Sequence, residues 1–577
     1  MDIEGSRSST GASPAPQGAR EVAAPAGRAA ATGGDSTRAT PASFPQASAT
    51  AKTHRPLVVG AVMFAMFMAS VEATIVATAM PAIVADVGGF DRFSWVFSSF
   101  LLAQAVTIPI YGKLADLYGR KPVFSAATSL FLVGCLLADM ARSMGQLIAA
   151  RGLQGLGAGG ILPTVTTIVG DIYSPQQRAR IQGYLSSVWG ISSIIGPVLG
   201  SAFVTYGHWA WVFWINLPIG LVALAAMVRF LHEQVTPSPR RVDYAGAALL
   251  LAVTVAVLVA LNGGSDAAGT AGGAGGAGSP RVLLTAGLLA AAAMGAVALA
   301  RCEQRASDPV LPLASWRHPV VGASTAVSLV TGALLTGATA FLPTFVRAVM
   351  GAPVAVAGFC LTSMSVGWPL ASTAAGRLLL RVTFRANALL GALLLVAGSA
   401  WFVTLGADRS PWWAAAGSFF TGAGMGLVTT TLLVAVQTSV PWEQRGSATA
   451  GLMFARIFGG ALGAAALGSV LNHGLAAALG RARADLGLQP GLQGVEPASG
   501  VPSAVAGRRV IELLMDEAER AQLGPEPLAA LRDALATSLH TVYVAVALLA
   551  LVTVLLAWWL PARASVRSAG APAASSH

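Results

Sequence analysis

Between Leu57 and Ala79 the chain carries a predominantly apolar run, and runs of that kind recur along most of its length. Crossing the hydrocarbon core of a bilayer takes about 20 such residues. On that rule spans are expected near 57–79, 94–111, 123–141, 145–171, 184–205, 210–231, 244–262, 281–300, 320–346, 354–376, 385–406, 412–438, 447–471 and 539–560, fourteen in all. Charged residues make up 11% of the 577, against about 25% in soluble proteins. That is too little charge to cover a water-facing surface of this size. The expected fold class is an all-α integral membrane protein.

The charges that do occur sit in the connections and set a topology. Loops after even-numbered spans hold Lys113, Arg120 and Lys121, then Arg178 and Arg180, Arg240 and Arg241, Arg301, Arg305 and Arg317, Arg377, Arg381 and Arg385, and Arg445. The short loops on the other side hold about one basic residue each, such as Arg92, Arg142 and Arg347. Basic loops stay cytoplasmic, so both termini are expected there. The net charge of +11 is scattered in the same way. It reads as topology, in contact with a lipid bilayer, and not as a nucleic-acid surface. Residues 1–54, rich in Ala, Ser, Thr, Pro and Gly, are expected to form a disordered cytoplasmic tail. The segment 472–538 is expected as an external loop with an amphipathic helix over 508–539, 263–280 as a flexible Gly-Ala connector, and 561–577 as a second cytoplasmic tail.

A repeat divides the chain. Gly155, Gly157, Gly159, Thr164, Gln177 and Arg178 recur as Gly422, Gly424, Gly426, Thr431, Gln444 and Arg445, at a constant offset of 267 residues. Two parallel six-helix halves, 55–232 and 318–560, with two inserted helices in 233–317, account for that offset. Parallel halves are the architecture of secondary transporters.

Other sources of activity lack their residues. A phosphate-binding Walker loop needs Gly-Lys-Ser/Thr; Lys113 and Lys121 are followed by Leu and Pro, and Ala51 precedes Lys52-Thr53. None of the seven histidines opens an HExxH or H-x4-D pattern. The three cysteines, Cys135, Cys302 and Cys360, form no CxxC pair and no disulfide framework. No cofactor, metal or catalytic residue is expected, and the chain is read as no enzyme.

The connection between spans 2 and 3 reads GKLADLYGRKP, residues 112–122. It resembles the signature loop of the major facilitator superfamily, with Gly112, Leu114, Asp116, Gly119, Arg120 and Lys121 in register. Its glycines permit a tight turn, and Asp116 is placed to pair with Arg120 or to sit at the positive end of a helix. The corresponding loop of the second half, from Gly376, has Leu380 where the acid would stand, so any lock there should be weaker. RGLQGLGAGG (151–160) resembles that superfamily's intramembrane arginine motif, with Arg151 and Gln154. GISSIIGPVLG (190–200) resembles its antiporter motif, with Gly196, Pro197 and Gly200, and also reads as a packing motif that lets helices approach. VEATIVATAMP (71–81) and WAWVFWINLPIG (209–220) resemble the fourteen-span drug:proton antiporters of the EmrB/QacA type, although Glu72 stands where that family commonly has Asp.

An ionisable residue inside a span is a functional candidate, and Glu72, Arg151 and Arg456 qualify. Glu72 lies roughly 22 Å from the inner end of span 1, and Arg151 roughly 9 Å below the outer end of span 4, at ~1.5 Å per residue. In a layer about 30 Å thick these are nearly the same depth, so the two are expected to pair directly, through Gln154 or through water. Such a pair reads as a permanent structural bridge or as a carboxyl that gains and loses a proton. Arg456, nearer mid-depth, orients a substrate or is packed against carbonyls. The resemblance implies a bacterial cytoplasmic-membrane antiporter, expected as a monomer, that exports small amphipathic compounds against protons. Export of one endogenous metabolite or lipid, and a transporter-like sensor without turnover, are the alternatives.

Overall fold

The computed structural model describes residues 53–88, 93–233, 243–268, 280–306, 309–310, 313–486, 510–511, 513–515, 520 and 524–562. They belong to one compact unit, Ala49–His577. The tail expected over 1–54, except Thr53 and His54, and most of 561–577 lie outside them. Among the described residues there is no strand.

The first block of helices is α1 (Arg55–Val87), α2 (Phe93–Tyr118), α3 (Arg120–Asp139), α4 (Met144–Ile172), α5 (Pro175–Tyr206), α6 (Trp211–Trp214) and α7 (Asn216–Phe230). After α8 (Tyr244–Ala268), α9 (Pro280–Arg305) and the short α10 (Leu313–Trp316) comes a second block: α11 (Pro319–Thr344), α12 (Val354–Leu378), α13 (Phe384–Val403), α14 (Pro411–Ser439), α15 (Arg445–Leu486) and α16 (Pro525–Trp558). Among the described residues twelve helices are long and apolar enough to cross a membrane. The two other expected spans also fall on helices, α8 and α12. The apolar run of α8 ends at Leu261, where Asn262, Gly263 and Gly264 follow, and α12 is diluted by Ser363, Ser365, Ser372 and Thr373.

Local chemistry sets the helix ends. The Ser143 hydroxyl accepts from the Gln146 amide at the start of α4. At α5, Ser174 and Gln177 satisfy each other's backbone amides in a capping box, with Pro175 in the first turn, where its missing N–H costs nothing. Gly119, between α2 and α3, has φ 94°, a conformation that a side chain would strain.

The repeat is a packing repeat. α4 lies on α2 and α3 as α14 lies on α12 and α13, and α1 meets α5 as α11 meets α15. A Cβ on Gly155 would strike the Phe100 carbonyl of α2, and one on Gly422 the Met364 carbonyl of α12. On Gly157 it would meet Phe131 of α3, and on Gly424 it would meet Leu395 of α13. The glycines recur because each central helix must touch its neighbours' backbones. The blocks meet through α5 with α12 and α2 with α15. The inserted α8 packs on α9 and leans against α2 and α15, with Leu250 beside Ile108, Ala450 and Phe454.

Helix extends into both ends of the segment expected as an external loop, 472–538. α15 continues to Leu486, 42 residues in all, roughly 63 Å at about 1.5 Å per residue. Its extension, NHGLAAALGRARADL, is rich in strong helix formers, so it continues where a span-length rule stops. Within the stretch expected as an amphipathic helix, 508–539, residues 510–511, 513–515 and 520 are helical, and from Pro525 a single 34-residue helix runs into the last span. Residues 487–509 lie outside the described residues. The connector expected at 263–280 begins later, because α8 runs to Ala268.

Candidate functional site

The ionisable residues of α1 and α4 meet. Arg151 Nη1 lies 2.5 Å from Glu72 Oε1, and both side chains are buried, at 1% and 0% exposure. The same Nη1 donates to Gln154 Oε1 at 2.5 Å, and Arg151 Nε donates to the Val96 carbonyl at 3.4 Å. The guanidinium lies over the Phe100 ring, 4.3 Å from its centroid. Gln154 Nε2 donates to Cys135 Sγ at 3.1 Å. The second carboxylate oxygen, Glu72 Oε2, accepts from Asn216 Nδ2 at 2.5 Å. A buried ion pair persists only when further hydrogen bonds satisfy its remaining atoms, and Asn216 and Gln154 supply them. Asn216 was missed in the sequence; a polar amide inside the span INLPIG was the signal.

The antiporter-like segment packs on this network's helix. A Cβ on Gly196 would strike Thr74, and one on Gly200 would lie 2.9 Å from the Ile75 carbonyl. Ser192 accepts a hydrogen bond from Ser70 at 2.6 Å. The glycines therefore bring α5 onto α1 two to six residues from Glu72. Pro197, between them, is exposed.

The signature loop forms a second cluster, across the two blocks. Asp116 Oδ1 accepts from the Gly446 amide at 2.8 Å, and Oδ2 from the Ser447 amide at 2.7 Å and hydroxyl at 2.5 Å. Asp116 thus sits on the first turn of α15, where free N–H groups and the helix dipole favour an anion. It also pairs with Arg120 at 3.1 Å. Arg120 reaches Asp171 at 2.9 Å and the Trp442 carbonyl at 3.1 Å, and stacks over the Trp442 ring. Asp171 is shared with Arg445, 3.3 Å away. Lys121 contributes its amide, which with that of Arg120 donates to Glu233 at the start of α3. Gly112 lets the backbones touch: a Cβ there would strike Ala450 and lie 2.8 Å from the Gly446 carbonyl. Arg178, just outside the spanning part of α5, is brought down to about 10 by burial and then by Arg445, against the pull of Asp171. Among the described residues the Gly376–Arg385 loop makes no ion pair, in keeping with Leu380. Glu233, Trp442 and Ser447 were not found in the sequence, because their roles arise only across the fold.

A cavity of about 280 Å³ lies between the blocks. Met66, Trp189, Met364, Trp368 and Met453 line it among serines and threonines, and Arg456 is on its wall. Glu72 and Arg151 are not on that wall. The candidate residues therefore form three places: a buried pair, a charged cluster joining the two blocks, and a cavity.

Residues 62–464 match the family model described as Major Facilitator Superfamily. The chain is 33% identical over 422 residues to the multidrug transporter protein MdtP of Bacillus subtilis, covering 73% of this chain and 76% of that one. It is 32% identical over 416 residues to multidrug resistance protein 3 of the same organism, covering 72% and 79%. It is 30% identical over 425 residues to the efflux pump FUS6 of Gibberella fujikuroi, covering 72% and 75%. The crystal structure of the human organic anion transporter MFSD10 (TETRAN) superposes with a TM-score of 0.53 at 17% identity, over 72% of this chain and 94% of that one.

Proposed function

The chain belongs to the major facilitator superfamily, and on that premise we propose that it is a fourteen-span antiporter that exports small amphipathic compounds in exchange for protons. The observation that carries the proposal is one cavity, lined from both blocks and sealed at one end by Asp116, Asp171, Arg120 and Arg445. A cavity between two such bodies reaches the opposite side only if that seal breaks. On the orientation given by loop charge the sealed end is cytoplasmic, both termini share that side, and the cavity faces outward. The two halves, 55–232 and 318–560, are the rocking bodies, with α8 and α9 inserted between them. The bacterial relatives favour a bacterial cytoplasmic membrane.

Coupling is assigned to Glu72, with Arg151 modulating it. When Glu72 is ionised, Arg151 and Asn216 hold it. A proton on the carboxyl removes its charge and frees Arg151, and α5, seated on α1 through Gly196 and Gly200, carries the shift towards the other block. Lipid and packed protein exclude water around the pair, so its charge state strongly biases the balance between states. A sensor without turnover has no need of a seal built from groups that must separate.

The test is a growth-inhibition panel of amphipathic compounds in a pump-deficient bacterial host, with and without expression, followed by a pH-sensitive dye in everted vesicles. Protection together with substrate-dependent collapse of the pH gradient is expected. Protection without any proton movement would contradict antiport, and neither response to any compound would contradict export.

A further inference from the structure

Arg456 is the one charged side chain on the cavity wall among the described residues. It sits eleven residues into α15, roughly 17 Å from the sealed end at ~1.5 Å per residue. Its backbone is clamped: a Cβ on Gly332 of α11 would strike the Arg456 carbonyl, and one on Gly459 would strike the Leu329 carbonyl. The side chain is partly accessible, at the cavity surface. Among the described residues its guanidinium has no ion pair and no hydrogen-bond partner. Among the described residues no carbonyl holds it, which favours the reading in which it faces a substrate.

The nearby helices of its own block offer it few acids. From Pro319 to Gly480 the acidic residues are Asp408 and Glu443 alone, and both lie in connections between helices. In the other block Glu72 is held by Arg151 and Asn216, while Asp116 and Asp171 are held at the seal by Ser447, Arg120 and Arg445. The cavity wall therefore carries a net positive charge with five unused donors in a fork suited to carboxylate. An uncompensated charge at this depth is costly, and an anionic group entering with a substrate would relieve it.

We propose that the cavity selects amphipathic anions, with a carboxylate or sulfonate on Arg456 and an apolar body against Trp189, Trp368 and the methionines, and that it rejects permanent cations. The proposal deepens the export reading given above by naming its substrate class. The test is binding, which needs no transport: isothermal titration of the purified full chain in phosphatidylcholine nanodiscs. The ligands are 4-butylbenzoate, 4-butylbenzyl alcohol and (4-butylbenzyl)trimethylammonium, with empty nanodiscs as the partition control. The benzoate should bind about 10- to 100-fold more tightly than the cation, the factor that a charge-assisted hydrogen bond confers. Arg456→Lys should keep the preference for the anion, and Arg456→Gln should abolish it. Repeating the benzoate titration with phosphatidylglycerol in the nanodisc shows whether a lipid headgroup competes for the same arginine. A cation bound as tightly as the benzoate overturns the proposal, and the wild-type chain alone decides this even if Arg456→Gln does not insert. An unchanged preference in Arg456→Gln, or no binding of the benzoate, overturns it as well. If the anion is preferred yet vesicles show no transport, the export reading fails and the charge selection stands. If transport occurs without charge preference, the reverse holds.

Discussion

Asp116 and Ser447, 331 residues apart, meet twice: the amide and the hydroxyl of Ser447 both donate to Asp116 Oδ2, at 2.7 and 2.5 Å. With the Gly446 amide on Oδ1, this one carboxylate closes the start of α15 against the end of α2. Among the described residues it has the shortest charged contacts that join the two blocks.

Asp116→Asn should therefore weaken the seal without disturbing insertion. Both carboxylate oxygens face donors, so whichever way an amide turns, its NH2 points at an N–H or a guanidinium. Each charge-assisted hydrogen bond lost is worth about 1.5–3 kcal/mol, and about 5.5 kcal/mol inverts a 99:1 population. Most efflux activity should be lost in everted vesicles at normal membrane abundance. Near wild-type efflux would remove the contact from the mechanism.

Gly112→Val tests the same closure by volume. Its Cβ would strike Ala450 and crowd the Gly446 carbonyl, and neither backbone can yield locally. The sealed end should open, so that a cysteine placed at Thr166, in a variant whose three native cysteines are serines, becomes reactive to a soluble maleimide from that side. Unchanged protection of that cysteine would show that the helices absorb the added volume.

Asn216 should matter mainly through Glu72, its other contact being a longer one to the Val212 carbonyl at 3.4 Å. Asn216→Leu leaves Glu72 Oε2 without its donor, at a cost of about 1–3 kcal/mol. In a Glu72→Gln background the penalty should shrink, because the charge that needed the donor is gone. Thermal unfolding of the two single variants and the double variant measures that coupling; additive effects would mean that the contact carries no coupling energy.

The orientation has its own test. A cysteine at Ala498 should be labelled from outside and one at Ala569 protected, because basic loops stay in the cytoplasm. The reverse pattern would invert every assignment of side made above.

The meeting of Glu72 and Arg151 was legible in the sequence, because two charges in spans running in opposite directions have computable depths. The glycine repeat was legible for a similar reason: helices that touch need small residues at a fixed spacing. Asn216 was not, since it is uncharged and leaves no mark on a scan for ionisable groups. Nor were Ser447 and Glu233, whose partners lie 331 and 112 residues away and meet them only once the helices pack. The long ends of α15 and α16 escaped because hydropathy reports the bilayer's thickness, whereas helix propensity continues past it. The isolation of Arg456 needed the whole fold, because only the packed helices show which carboxylates are already taken.

The coupling assignment rests on Glu72, and Glu72→Gln in reconstituted vesicles with an imposed pH gradient examines it most directly. Glutamine keeps the shape and the contact to Asn216 but cannot change charge. The variant should insert normally, since the neutral form costs less in the membrane, and should still allow downhill exchange. Uphill accumulation of substrate and substrate-dependent proton movement should both vanish, while Glu72→Asp, which keeps a carboxyl, should retain part of each. If Glu72→Gln still concentrates substrate and still moves protons when substrate is added, the proton carrier is another residue and the account is wrong.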